Sequence, residues 1–161
     1  MSTETATVNA YLHSKVMSAS PEELRLMLIE GAIKFARQGR NGLESKDYEA
    51  VFEGFSRAKD IILELINGLR PEVAPELCER LKSLYTYMYT RLLDSSLEKD
   101  ASIADEVIEL LEYDRETWVM LMDQLRRERG ESVDQDEPAP RATGTDGPIA
   151  GAPSGGFSAE G

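Results

Sequence analysis

The chain has 161 residues, 30 acidic against 18 basic side chains, a formal net charge of −12 and a single cysteine. An acidic chain without a basic block makes a poor nucleic-acid binder, because phosphate contact needs clustered Lys and Arg. Apolar runs as short as Leu26–Ile29 predict no membrane insertion, residues 1–5 lack the features of a signal peptide, and the lone Cys78 excludes an internal disulfide, so a reducing, cytoplasmic location is expected.

The elements read as helices throughout. Before Ser20, Val8, Ala10, Tyr11, Val16 and Met17 are apolar islands in a polar context. Residues 1–19 are therefore an N-terminal arm, either a short helix or an extended segment lying on the rest. Ser20, Pro21 and Glu23 form a strong helix start: a capping hydroxyl, a proline suited to the first helical position, and a glutamate that completes a capping box. Leu24, Met27, Leu28, Gly31, Ala32 and Phe35 then recur at three- and four-residue spacing, and Gly39 and Gly42 are expected to weaken the end of this first helix.

Asp47 or Ser45 caps the second helix, whose apolar row is Tyr48, Val51, Phe52, Phe55, Ala58, Ile62, Leu65, Ile66 and Leu69 before Gly68 and Pro71 stop it. Pro75 opens the third, with Glu76 near the positive end of its dipole and Leu77, Leu81, Leu84, Tyr85, Met88, Leu92 and Ser95 as its stripe. Asp100 or Ser102 caps the fourth, with Ile103, Val107, Leu110, Leu111, Trp118, Leu121 and Leu125 as its stripe and Gly130 after its end.

Short turns between four such helices predict an all-α fold, an antiparallel up-down-up-down four-helix bundle over residues 20–129. Residues 130–161 read as an acidic, disordered tail. From residue 131 onward there are six acids against one base, a net of −5, with six glycines, four prolines and few large apolar side chains. Such a segment cannot bury enough apolar surface to offset the entropy of ordering it. Residues 1–130 carry the remaining −7, from 24 acids and 17 bases.

Catalytic and metal chemistry lack their residues. His13, the sole histidine, sits in the arm with no partner in its neighbourhood of the sequence. A di-iron bundle needs Glu-x-x-His pairs, whereas Glu106, Glu109 and Glu112 have the spacing without histidine and read as a solvated face. No phosphate-binding glycine loop or nucleophile elbow is present. The expectation is a protein that is not an enzyme and uses no metal or cofactor.

What the pattern does contain is an apolar excess. Tyr85, Tyr87, Met88 and Tyr89 crowd five positions of the third helix and point around it, while a bundle core needs one stripe. Met120 and Met122 flank Leu121, and Ile61 sits beside Ile62, in the same way. One reading is that Tyr lies at the rim of the core and Met fills gaps. The other is a second apolar surface that accepts an amphipathic helix, with the arm covering it when empty.

Several blocks carry a family resemblance. They are Asn9-Ala10-Tyr11, Val16 through Leu24, Met27-Leu28 and Gly31 through Ile33; Lys59 through Ile62; Leu84 through Met88 with Arg91 through Leu93; and Ile108 through Leu111 with Glu116 through Trp118. In this order and spacing the chain resembles the flagellar export chaperones of the FliS family from about Val8 to Trp118. The resemblance implies a cytosolic chaperone that binds the C-terminal segment of flagellin, prevents premature polymerisation and brings it to the flagellar type III export gate. It implies a groove on the second and third helices, with Ile62, Tyr85, Tyr89 and Leu93 among its exposed apolar residues. It assigns contact with the cytoplasmic domain of the export gate to the arm, at Val8 and Tyr11. The competing expectation is a structural bundle that self-associates through its Tyr/Met surface, and a homodimer of the unloaded protein is expected under the first reading as well.

Overall fold

A computed structural model describes residues 3–130, and the sequence-predicted tail lies outside the described residues except for Gly130. Among the described residues the secondary structure is helical only: α1 (Thr3–Ser18), α2 (Pro21–Ser45), α3 (Tyr48–Asn67), α4 (Pro75–Glu98) and α5 (Ala101–Glu128). None of these helices is long and apolar enough to cross a membrane.

The helix starts follow from local chemistry. Ser20 Oγ accepts the Glu23 N–H and the Ser20 N–H donates to Glu23 Oε2, both at 3.2 Å, so the capping box forms with Pro21 in the first turn. Asp47, rather than Ser45, caps α3 by accepting the Ala50 N–H at 3.2 Å. Asp100 takes that role before α5, accepting from the Ser102 N–H at 2.9 Å and the Ser102 hydroxyl at 2.6 Å. Lys46 and Lys99 end α2 and α4 in the left-handed region, with φ of 59° and 54°, where an L side chain is strained and glycine is usual.

α2 runs through Gly39 and Gly42, where a weakened end was expected, and the reason lies in its neighbour. A Cβ on Gly39 would stand 2.3 Å from the ring of Phe55, and a Cβ on Gly54 would stand 2.4 Å from the Gly39 nitrogen. The missing side chains let α2 and α3 approach backbone to backbone, and that packing outweighs the intrinsic helix cost of glycine, about 1 kcal/mol per residue.

The core unites α2 to α5. Ile29, Ala32, Ile33 and Ala36 of α2 meet Val51, Phe55, Ala58, Ile62 and Leu65 of α3, Tyr85, Met88 and Leu92 of α4, and Ala104, Val107, Ile108 and Leu111 of α5. Each fully buried aliphatic side chain contributes roughly 1.5–3 kcal/mol. Ser95 is buried among them with its hydroxyl satisfied by the Asp100 carbonyl at 2.7 Å. Polar pairs tie the same helices at their flanks: Arg115 with Glu30 at 3.1 Å and Arg40 with Asp105 at 2.8 Å between α2 and α5, and Arg91 with Glu106 at 3.5 Å between α4 and α5. These are half-exposed and individually contribute little.

Several stripe assignments change: Leu24 of α2 is 38% exposed, and Tyr48 and Phe52 of α3 are 48% and 72% exposed. Leu77, expected inside α4, is 56% exposed. On α5 the buried side chain is Met122, whereas Leu121 is 42% and Met120 71% exposed. Met122 stands 11 residues after Leu111, three helical turns on, so the stripe continues through it.

Among the described residues, those up to Asp123 form one compact unit and those from Gln124 onward belong to a second. In the second, Gln124 donates to Glu128 at 3.3 Å and Gly130 has a φ of 72°.

Candidate functional site

The candidate site is an apolar strip shared by α3 and α4, built from residues the core does not use. Val51, Phe55, Ala58, Ile62 and Leu65 already complete the inward stripe of α3. Phe52 and Leu63, 11 residues apart and hence on one face, stay 72% and 43% exposed, and Tyr48 lies one turn before Phe52. On α4, Met88 and Leu92 face inward while half-buried Tyr89 and exposed Leu93 and Leu97 follow at four-residue intervals along a neighbouring face.

Two cation–ring contacts join the faces. The Lys59 ammonium lies over the Tyr89 ring at 5.5 Å and the Lys99 ammonium over the Tyr48 ring at 4.8 Å. The strip is therefore an apolar groove bordered by two lysines. Its chemistry is that of recognition: aromatic and leucine area for an amphipathic segment, with cations at the edge for acidic side chains.

The structure distributes the sequence-predicted groove residues unevenly. Tyr89 is half-buried and Leu93 is 40% exposed on this strip. Ile62 and Tyr85, expected among the exposed groove residues, are both 0% exposed, because their spacing places them on the stripes that the α3 and α4 backbones turn toward the core. Sequence reasoning counted Phe52 and Tyr48 as core and passed over Leu63 and Leu97. The available signal was the completeness of the inward stripe without Phe52, and the unbroken Tyr89, Leu93, Leu97 series.

Tyr85 instead anchors a polar network beneath the surface. Its hydroxyl donates to Asp114 Oδ2 and accepts from the Arg25 guanidinium, each at 2.7 Å. Arg25 also reaches the Leu65 carbonyl at 3.5 Å and stacks over the Tyr85 and Trp118 rings, while the Trp118 indole N–H donates to the Glu22 carbonyl at 3.0 Å. Burial and the Asp114 charge push the Tyr85 phenol well above its usual range, and desolvation holds the Asp114 carboxyl above its own, against the Tyr85 hydrogen bond and the Arg25 charge. One network thus links α2, α3, α4 and α5.

The neighbouring Tyr87 is 44% exposed and its hydroxyl bonds to Glu106, which raises the phenol pKa. The three glutamates read as one solvated face are divided: Glu106 serves Tyr87 and Arg91 of α4, Glu112 pairs with Arg37 of α2, and Glu109 is exposed. Between α2 and α5 an open cleft of about 370 Å³ is lined by such charges, including Glu30, Lys34, Arg37 and Arg115. Among the described residues no three His, Cys, Asp or Glu side chains converge as a metal site.

The arm resolves as the helix α1, and it buries no side chain. Val8, Tyr11, Leu12 and Val16 share one face and are 54%, 65%, 44% and 42% exposed. The arm was expected to cover the groove, but this face is open to solvent. Only Ala19 and Ser20 separate α1 from α2, and both are held: the Ala19 N–H donates to the Val16 carbonyl at 3.3 Å and Ser20 sits in the capping box.

Residues 4–125 match the family model described as flagellar protein FliS. The chain is 32% identical over 120 residues to the flagellar secretion chaperone FliS of Bacillus subtilis (strain 168), covering 74% of this chain and 89% of that one. It is 41% identical over 108 residues to the FliS of Salmonella typhimurium (strain LT2), covering 66% and 80%, and 37% identical over 112 residues to that of Escherichia coli (strain K12), covering 66% and 79%.

Proposed function

This chain belongs to the FliS family of flagellar proteins, and from that premise we propose that it is a cytoplasmic chaperone for flagellin. In this reading it binds the C-terminal segment of flagellin, prevents premature polymerisation and delivers the client to the cytoplasmic domain of the flagellar type III export gate. Unloaded, it pairs with a second copy. The work is done by binding alone, without catalysis.

The observation that carries the reading is the exposed strip of Tyr48, Phe52, Leu63, Leu93 and Leu97 on a chain of this family. An exposed apolar groove of this kind is a liability unless something fills it. A client segment that folds as it binds would do so, and its ordering entropy would keep affinity moderate and release feasible. Tyr89 and Leu93 are assigned to the groove directly. Ile62 and Tyr85 act from below, by fixing the α3 and α4 backbones that carry it. Val8 and Tyr11, open on α1, are assigned to the export gate.

The architecture proposed with it is the antiparallel up-down-up-down four-helix bundle of α2 to α5. Its support is the run of paired positions. Glu30 meets Arg115 while Arg40 meets Asp105; Lys59 meets Tyr89 while Tyr48 meets Lys99; Tyr85 meets Asp114 while Arg91 meets Glu106. In each pair of helices the numbers fall along one as they rise along the other.

Calorimetry with a peptide of the cognate flagellin C-terminus tests the reading. A roughly 1:1 complex is expected. Phe52→Ser with Leu97→Ser should weaken it at least about tenfold, which is ~1.4 kcal/mol, while Tyr113→Ser on α5, 72% exposed but outside the groove, should leave it unchanged. No binding at tens of micromolar, or equal losses in both variants, overturns it.

A further inference from the structure

Two lysines stand on the apolar strip of α3 and α4, and each is already held by a ring of the opposite helix: Lys59 by Tyr89 at 5.5 Å and Lys99 by Tyr48 at 4.8 Å. We infer that Lys59 and Lys99 are the specificity-determining residues of this groove. They select an amphipathic helical segment that carries two carboxylates about three turns apart beside its apolar stripe. That a segment lies in the groove at all rests on the proposed function; its charge and its register are what the lysines add.

The spacing can be measured along either helix. Lys99 sits at Tyr48, and Lys59 follows Tyr48 by 11 positions on α3, about 16 Å. Lys59 sits at Tyr89, and Lys99 follows Tyr89 by ten positions along α4 and its cap, about 15 Å. A ligand helix rises the same distance in about 11 residues, after which a side chain returns to the same face. Phe52, Leu93 and Leu97, all exposed, lie between the two cations. They offer the area for apolar side chains at three- and four-residue spacing between the two acids.

The sign is equally defined, because the acids of these helices stand on other faces. Glu49, Glu53, Asp60 and Glu64 follow with Arg57 at three- or four-residue spacing, and the Arg57 guanidinium, 5.3 Å from the Phe35 ring, puts that row on the α2 side of α3. Asp94 pairs with Arg91 at 3.3 Å, and Arg91 reaches Glu106 at 3.5 Å on the α5 side of α4. A basic segment in the groove would therefore meet two cations with no counter-charge. A wholly apolar one would cover them and leave them unpaired, which is costly.

An ordinary surface ion pair contributes little, because two long side chains must be ordered to make it. Here the rings hold the lysines before a ligand arrives, so less freedom is lost on pairing. A ligand that covers the groove also removes water from around each pair and strengthens it. The chain as a whole carries −12, so long-range attraction does not bring an acidic segment in. The selection is local and fixes register.

The test uses the full chain and two designed helical peptides with one leucine stripe. They differ only at two positions about 11 residues apart, Glu in one and Lys in the other. Fluorescence anisotropy should show the Glu peptide binding at least about tenfold more tightly. Lys59→Glu with Lys99→Glu should invert that preference. Lys59→Gln with Lys99→Gln should remove most of it while both peptides still bind, and circular dichroism should be unchanged in both variants because neither lysine belongs to the core. Moving the two Glu to about half the spacing should also weaken the preference. Equal affinities for the two peptides, no binding of either at tens of micromolar, a preference that survives charge reversal, or indifference to the spacing overturns the inference. The cognate flagellin peptide is a separate arm. If it fails to bind where the Glu peptide is preferred, the flagellin reading falls and the selection of acidic segments stands. If it binds the wild-type chain and the charge-reversed chain equally, the inference falls and the flagellin reading stands.

Discussion

Tyr85→Phe probes the network that joins α2, α3, α4 and α5, because it keeps the buried ring and deletes one oxygen. That oxygen donates to Asp114 and accepts from Arg25, each at 2.7 Å. Hydrogen bonds to charged groups are worth about 1.5–3 kcal/mol each. Arg25 keeps the Leu65 carbonyl and both ring faces, so most of the loss falls on Asp114, and a total of ~2–3 kcal/mol at neutral pH is expected. The pH dependence separates this from a simple packing defect. Burial already raises the Asp114 pKa above its unfolded value, so the folded state favours the protonated carboxyl. The stability this supplies is complete below about pH 3.8 and is lost as pH rises through the folded pKa. Without the Tyr85 donor the folded pKa climbs further. The variant therefore loses more stability than the parent between about pH 4 and pH 7, and the gap between the two proteins widens with pH. Urea unfolding followed by far-ultraviolet circular dichroism at both pH values measures it. A gap below ~0.5 kcal/mol at neutral pH, less than an ordinary hydrogen bond, or one that is the same at both pH values, refutes the role given to the hydroxyl.

Other positions give independent checks. Gly39→Ala should destabilise by about 1–3 kcal/mol in the same urea assay, as overpacking does, since its Cβ would meet the Phe55 ring at 2.3 Å; unchanged or higher stability would contradict the close approach of α2 and α3. Lys46→Gly should stabilise by ~0.5 kcal/mol, the relief of a left-handed residue less the added freedom of the unfolded chain, and Lys99→Gly should gain less because it also removes the contact with Tyr48. Asp100→Ala should lower the urea midpoint at neutral pH. The two bonds from Ser102 hold the Asp100 pKa down, so its stabilising effect is present above about pH 3.8 and fades as pH falls through the folded value; an effect that persists in acid would show that the carboxylate is not the cap.

How much of this was legible in the sequence depends on the range of the interaction responsible. The capping box of Ser20 and Glu23 and the cap by Asp47, one of the two candidates, follow from neighbours within a few residues. The course of α2 through Gly39 was illegible because its cause is Phe55 and Gly54, more than a dozen residues away. Propensity describes a helix alone in water, and tertiary contact overrides it where two backbones meet.

The groove was half legible for a related reason. Periodicity identifies residues that share a stripe, but a helix with two apolar stripes does not announce which one turns inward. Ile62 and Tyr85 were read both as stripe residues and as groove residues, and the structure keeps only the first reading, whereas Phe52, read as a stripe residue, is 72% exposed. The deciding fact was present: Val51, Phe55, Ala58, Ile62 and Leu65 form an unbroken inward series, so Phe52 and Leu63 had no place left in it. A second stripe that the core cannot use is then a better mark of a binding surface than any count of exposed hydrophobics. The argument also gives the acidity of residues 1–130 a role. A molecule that exposes Phe52 and Leu97 at 72% and 73% invites indiscriminate association. A net charge of −7 over those residues opposes close approach of copies at long range, so that association proceeds only where complementary faces repay the repulsion.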